Sequence, residues 1–170
     1  MLPRQSTGAK ANGVYWHGSW ASRMLRQQAA GTPVCLTVSH LDGIVLARSG
    51  FHHSVNYSSV MLLGTPDEVE GSAKKLTHMK VFVDRLFPGR WDKLRAVSTK
   101  ELKATKVMGM EIDEASAKIR TGPPADEQDY ELPIWAGVLP LRTVIGAPEP
   151  CPRLQQGIAR PGYLNAFKLG

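Results

Sequence analysis

The chain has 170 residues, 42% of them hydrophobic, which supports one compact domain with a core of its own and is too short to expect two. Its formal charge of +6 comes from basic residues spread among acids rather than from a basic block interleaved with aromatics, so it argues against nucleic acid and for an ordinary basic surface or an anionic small ligand. Two cysteines, Cys35 and Cys151, exclude a disulfide framework and a CxxC zinc pair, and both read as inert thiols.

The opening residues, MLPRQSTGAKANG, lack the apolar run of a signal peptide. Nothing approaches the roughly 20 apolar residues of a membrane span, and together these features predict a soluble, cytoplasmic protein with no membrane partner. Val14 to His17 then reads as a strand, Gly18 permits a sharp turn, and Ala21, Met24, Leu25 and Gln28 trace one face of a helix that Gly31 terminates. Ser19 is the natural N-cap of that helix, with Ser22 in its first turn and Arg23 after it. The helix dipole disfavours an arginine there. Backbone N–H groups, serine hydroxyls and a guanidinium fork together match a phosphate monoester, although a capped surface helix with Arg23 in solvent suits the same local pattern.

Residues 33 to 49 hold two β-rich runs around HLDG, and an Asp-Gly pair between such runs signals a hairpin of strands at about 34 to 40 and 43 to 49. NYSSVMLLG reads as a third strand. Between them, His52 and His53 on an extended chain point to opposite sides, and no neighbouring Cys, Asp or Glu completes a metal set, so no metal is expected. Asn56, Tyr57, Ser58 and Ser59 offer donors and acceptors to a heterocycle, or simply a polar lead-in to the strand.

Leu76, Met79, Val83 and Leu86 recur at helical spacing up to PGR, and Ser72 is the favoured cap over the Thr65-Pro66-Asp67-Glu68 box. STKELKA carries a second Ser-x-x-Glu signal at Ser98 and Glu101. TKVMGMEI and ASAKIRT read as one long, bulged strand, GPPADEQDYELP as a loop solvated by its acids, and IWAGVLPLRTVIG as a last strand, edged or bulged at Pro140. Recurring prolines make 147–170 an irregular tail. Consecutive antiparallel strands with few helices predict a mainly β, α+β barrel or sandwich in a single domain.

VYWHGSWASRML, TPVCLTVSHLDGIVLARSGFHHSVNYSSVMLLG, ASAKIRTGPP and LPIWAGVLPL, in that order over about residues 14 to 154, resemble the flavin-nucleotide-binding proteins of the pyridoxamine 5'-phosphate oxidase superfamily. The resemblance implies a split β-barrel that forms a homodimer and holds FMN at the subunit interface. Carried over, His17, Gly18 and Ser19 approach the flavin and its phosphate, while Ser22 and Arg23 match the Ser-Arg pair that grips the phosphate. Asn56, Tyr57, Ser58 and Ser59 fall beside the flavin ring, Ser59 standing where oxidases often have glutamine, and Lys118 and Arg120 line the cleft wall.

Three departures bear on activity. Met24 stands where the oxidases have a lysine after Ser-Arg. IGAPEPCPRL lacks their closing tryptophan and Arg-x-His pair, which argues against pyridoxamine phosphate oxidation. The strands that relatives carry before VYWHGS are shortened to MLPRQSTGAKANG. The resemblance therefore implies an FMN-dependent oxidoreductase working with a small-molecule electron donor and acceptor, or a non-catalytic flavin-nucleotide carrier. No side chain is singled out as a general acid or base.

Overall fold

Residues 13–126 and 128–167 are described by the computed structural model. In chain order the elements are β1 (Gly13–Ser19), α1 (Arg23–Ala29), β2 (Val34–Leu46), β3 (Ser54–Gly64), β4 (Pro66–Glu68), α2 (Ser72–Leu86), α3 (Thr99–Ala104), β5 (Thr105–Glu111), β6 (Glu114–Arg120) and β7 (Gly137–Pro140), with short 3-10 turns between some of them. They fall into two units: the described parts of residues 1–32, 66–111 and 144–170, and residues 33–65 with 112–143. No described helix is long and apolar enough to cross a membrane.

In the first unit β5 is the centre of an antiparallel sheet ordered β1-β5-β4. Trp16 opposes Met108 and Gly18 opposes Lys106, so these positions share one face. Helix α1 covers that face: Trp16 Nε1 donates to Gln28 Oε1 at 3.1 Å, and a Cβ at Gly18 would lie 2.8 Å from Leu25 Cδ1. On the other face Tyr15 stacks on His78 of α2 with centroids 4.2 Å apart, and His17 meets Phe82 edge-on at 5.1 Å. Gly109 admits the Tyr15 ring, since a Cβ there would come within 2.5 Å of it. Covering on both faces explains why VMGM does not alternate and why Val107, Met108 and Met110 are all buried.

The helix ends depart from the sequence reading in two places. Ser22, not Ser19, caps α1, its Oγ accepting from Leu25 N at 3.3 Å, because the Ser19–Ser22 turn precedes the first helical residue, Arg23. Gly71, not Ser72, caps α2; its φ of 85° is a backbone conformation that glycine adopts without strain. The Thr65-Pro66-Asp67-Glu68 alternative belongs to strand β4. Ser98 and Glu101 form the expected capping box on α3, and Arg95 pairs with Glu101; those hydrogen bonds hold the Glu101 carboxyl well below the usual carboxylate range. After β7, Arg90 Nη1 donates to Tyr163 OH at 2.7 Å, and Phe87 packs on Tyr163 and Phe167, which ties the irregular tail to the end of α2.

The second unit is an antiparallel sheet ordered β6-β3-β2-β7. Here HLDG makes no hairpin. β2 runs through it as one strand, bulging between Leu41 and Gly43, and pairs with β3 along its length. A two-residue type I' turn needs positive φ at both centres, whereas no described non-glycine residue has positive φ and Gly43 is not among the positive-φ glycines. Gly43 serves a close approach: a Cβ there would meet Val138 Cγ1 at 2.9 Å and Leu139 O at 3.3 Å, both on β7. The predicted long strand is also divided, β5 entering the first sheet and β6 the second. Ile112 and Asp113 make the break, where Asp113 N donates to Leu63 O at 3.0 Å. The last strand is only the four residues of β7.

Candidate functional site

The eleven site residues suggested by sequence divide between the units. His17, Gly18, Ser19, Ser22 and Arg23 lie in the first, and Asn56, Tyr57, Ser58, Ser59, Lys118 and Arg120 in the second. Each set is built locally.

In the first set, Ser19 Oγ accepts from Ala21 N at 3.2 Å while Ser22 Oγ caps α1, so both hydroxyls hold the turn through their oxygens and keep an O–H to donate. Ser22 N donates to Ser19 O at 3.0 Å, and Trp20 N to Ala104 O at 2.8 Å, which anchors the turn to the end of α3. Arg23 N and Met24 N open the helix without intrahelical acceptors. The Arg23 side chain is exposed and joins no ion pair among the described residues. His17 is held on the opposite face by Phe82. Burial pushes the neighbouring His78 imidazole below its usual value, so it is the neutral ring that stacks on Tyr15.

A charged cluster lies next to this turn in register. Lys106, opposite Gly18, is buried and pairs with Glu68, which also accepts from Lys75 Nζ at 3.3 Å. Lys75 Nζ donates as well to Thr105 O at 3.0 Å, and Thr105 opposes Ser19.

In the second set, the buried Asn56 donates to Gly122 O at 3.0 Å and accepts from Arg120 Nη1 at 2.9 Å. Its amide therefore fixes the end of β6. Ser59 Oγ lies 2.9 Å from Ser39 Oγ, and Ser58 donates to Asp42 Oδ2 at 3.0 Å. Lys118 is exposed opposite Ser59, and Arg120 opposes Tyr57.

Sequence reasoning missed a third group. Asp126, read as part of a solvated acidic loop, is fully buried. Its Oδ2 accepts from Arg48 N at 2.9 Å and Arg48 Nη1 at 3.3 Å, and its Oδ1 lies 3.3 Å from His52 Nδ1. Burial alone raises a carboxyl, but the Arg48 backbone N–H, His52 and the Arg48 guanidinium outweigh it and hold Asp126 below its ordinary value. With Asp129, these residues offer three ligand atoms within 4.8 Å of one another, so acids do stand beside His52 after all. The 74-residue separation of His52 from Asp126 hides the set from any local spacing.

The profile of the pyridoxamine 5'-phosphate oxidase family matches residues 5–119. Among solved structures, the flavocytochrome Anf3 from Azotobacter vinelandii is similar at 46% identity and a TM-score of 0.87, over 95% of this chain and 75% of that one. The FAD and haem binding protein from Mycobacterium smegmatis is similar at 37% identity and a TM-score of 0.84, over 94% of this chain and 79% of its own. No curated protein matches the chain.

Proposed function

This chain belongs to the pyridoxamine 5'-phosphate oxidase family, with a mainly antiparallel fold of the split β-barrel class, and from that premise we propose that it is a flavin-nucleotide-binding oxidoreductase. The observation that carries this reading is the exposed Arg23, in no ion pair among the described residues, beside two serine hydroxyls that retain donors, a set that suits a phosphate ester. The bound isoalloxazine would supply the redox chemistry, and the protein would position and shield it. FMN is the cofactor implied by the sequence resemblance; the FAD of the Mycobacterium smegmatis protein is the other candidate. Releasing the cofactor from purified protein by denaturation and taking its mass and spectrum decides between them. No flavin released, and no quenching of FMN or FAD fluorescence on titration, would reject the reading.

Arg23→Ala is expected to weaken the flavin nucleotide by about 1.5–3 kcal/mol, the range for a charge-assisted hydrogen bond, and riboflavin far less. Equal losses for both ligands in a fluorescence titration would remove Arg23 from the phosphate site. Steady turnover of any acceptor with NADH or NADPH separates an oxidoreductase from a non-catalytic carrier. IGAPEPCPRL, without the oxidases' tryptophan and Arg-x-His pair, argues against pyridoxamine phosphate as the substrate.

We further read the working unit as a homodimer with the flavin at the interface. Support comes from the second sheet, where Val38, Val60 and Ile119 on one face and Leu41, Met61 and Leu63 on the other are all exposed, more apolar surface than a lone sheet leaves in water. Saturating flavin should then shift a monomer–dimer equilibrium toward dimer in analytical ultracentrifugation. A protein that stays monomeric at every concentration yet binds flavin tightly contradicts this.

A second reading, that a haem is bound as well as the flavin, is favoured by the two relatives whose names carry it, at 46% and 37% identity. The donor chemistry fits. His52 Nδ1 is hydrogen bonded to Asp126 and His53 Nδ1 to Ser49 O at 2.9 Å, so Nε2 is the nitrogen that each ring leaves for a further partner.

A further inference from the structure

His52 closes the 3-10 turn Gly50–His52 that leads into β3. Its Nδ1 faces Asp126, whose other oxygen is held by the backbone and guanidinium of Arg48. An ionised carboxylate only accepts, so Nδ1 carries the proton of that hydrogen bond, and Nε2 is the ring nitrogen left to hold a metal. The side chain is 39% exposed. Beside it stands Phe51, 90% exposed, its ring centroid 5.2 Å from the imidazole.

From this geometry we propose that His52 Nε2 is the axial ligand of a haem iron, with the buried Asp126 as the residue that positions it; the proposal rests on the haem reading above. The other four histidines fit less well: the exposed His40 of β2 has no hydrogen bond among the described residues to orient its ring. His17 and His78 are packed against Phe82 and Tyr15. His53 is oriented by the neutral carbonyl of Ser49, whereas a carboxylate both orients an imidazole and strengthens it as a donor. A free divalent cation on His52, Asp126 and Asp129 is disfavoured because the Arg48 guanidinium already matches the Asp126 charge. An iron carried in a macrocycle needs only the imidazole.

The test is haem titration of haem-free protein, followed by absorption and resonance Raman spectroscopy. Wild type should give a Soret shift and an iron–imidazole stretch. His52→Ala should lose the stretch and recover an imidazole-ligated spectrum when imidazole is added; His53→Ala should match wild type. Asp126→Asn should weaken haem by about 10–100-fold, lower the stretching frequency and raise the midpoint potential. A purely structural Asp126 would leave frequency and potential in place and overturn its positioning role. If His52→Ala keeps the stretch, or His53→Ala loses it, the ligand assignment falls while the haem reading stands. A wild type that gives no Soret shift overturns both.

Discussion

Met108→Ala is expected to lower the unfolding free energy by about 3–5 kcal/mol, in the upper part of the range for truncating a buried methionine. Met108 is completely buried at the middle of β5, between Trp16 of β1 and Glu68 of β4, on the face that α1 covers. Strands on both sides and a helix above leave the surroundings little freedom to collapse, so the lost transfer energy is joined by the cost of a cavity. Met108→Leu, which conserves volume, should cost less than about 1.5 kcal/mol. Urea denaturation of both variants measures the difference. An alanine variant within about 1 kcal/mol of wild type would mean that α1 does not seal that face.

The features legible in the sequence were those with a local cause. β1, α1 and β3 follow from periodicity, and the α3 capping box follows from two residues three apart. What stayed hidden depends on distant partners. HLDG has the composition of a hairpin turn, but its glycine is required by the approach of β7, nearly a hundred positions on, a relation no window contains. The run from Thr105 to Arg120 looks uniform as a strand; only burial distinguishes β5, covered on both faces, from the exposed β6. Asp126 is the sharpest case. Its neighbours are polar and two prolines precede it, so a solvated loop is the natural local reading, while its burial is made tolerable by Arg48, 78 residues away. In the candidate phosphate turn the residue types were legible and the cap was misplaced by one turn of chain. Asn56 was legible as polar, whereas its engagement with Gly122 and Arg120 depends on strand pairing.

Glu68→Ala is expected to destabilise the protein by about 3 kcal/mol, the lower end of the range for breaking a buried ion pair, because the carboxylate itself keeps some exposure. The loss falls mainly on Lys106, which is buried and has no other partner for its ammonium among the described residues, whereas Lys75 retains Thr105 O. The same cluster sets an acid limb. Burial on its own raises the Glu68 carboxyl, but the hydrogen bonds and charges of Lys106 and Lys75 lower it further, for a net value below the ordinary one. A depressed folded-state value means that the unfolded chain binds more protons. The stabilisation is therefore complete above the ordinary carboxylate range and is lost as pH falls through the lowered folded-state value. Glu68→Gln should flatten that limb of the stability–pH curve while leaving its alkaline side displaced but parallel. The double variant Glu68→Ala with Lys106→Met should be less destabilised than the sum of the singles, since removing both charges leaves no buried ammonium unpaired. Strict additivity in that cycle would show that the two side chains do not depend on each other, and the penalty of Glu68→Ala would then belong to packing alone.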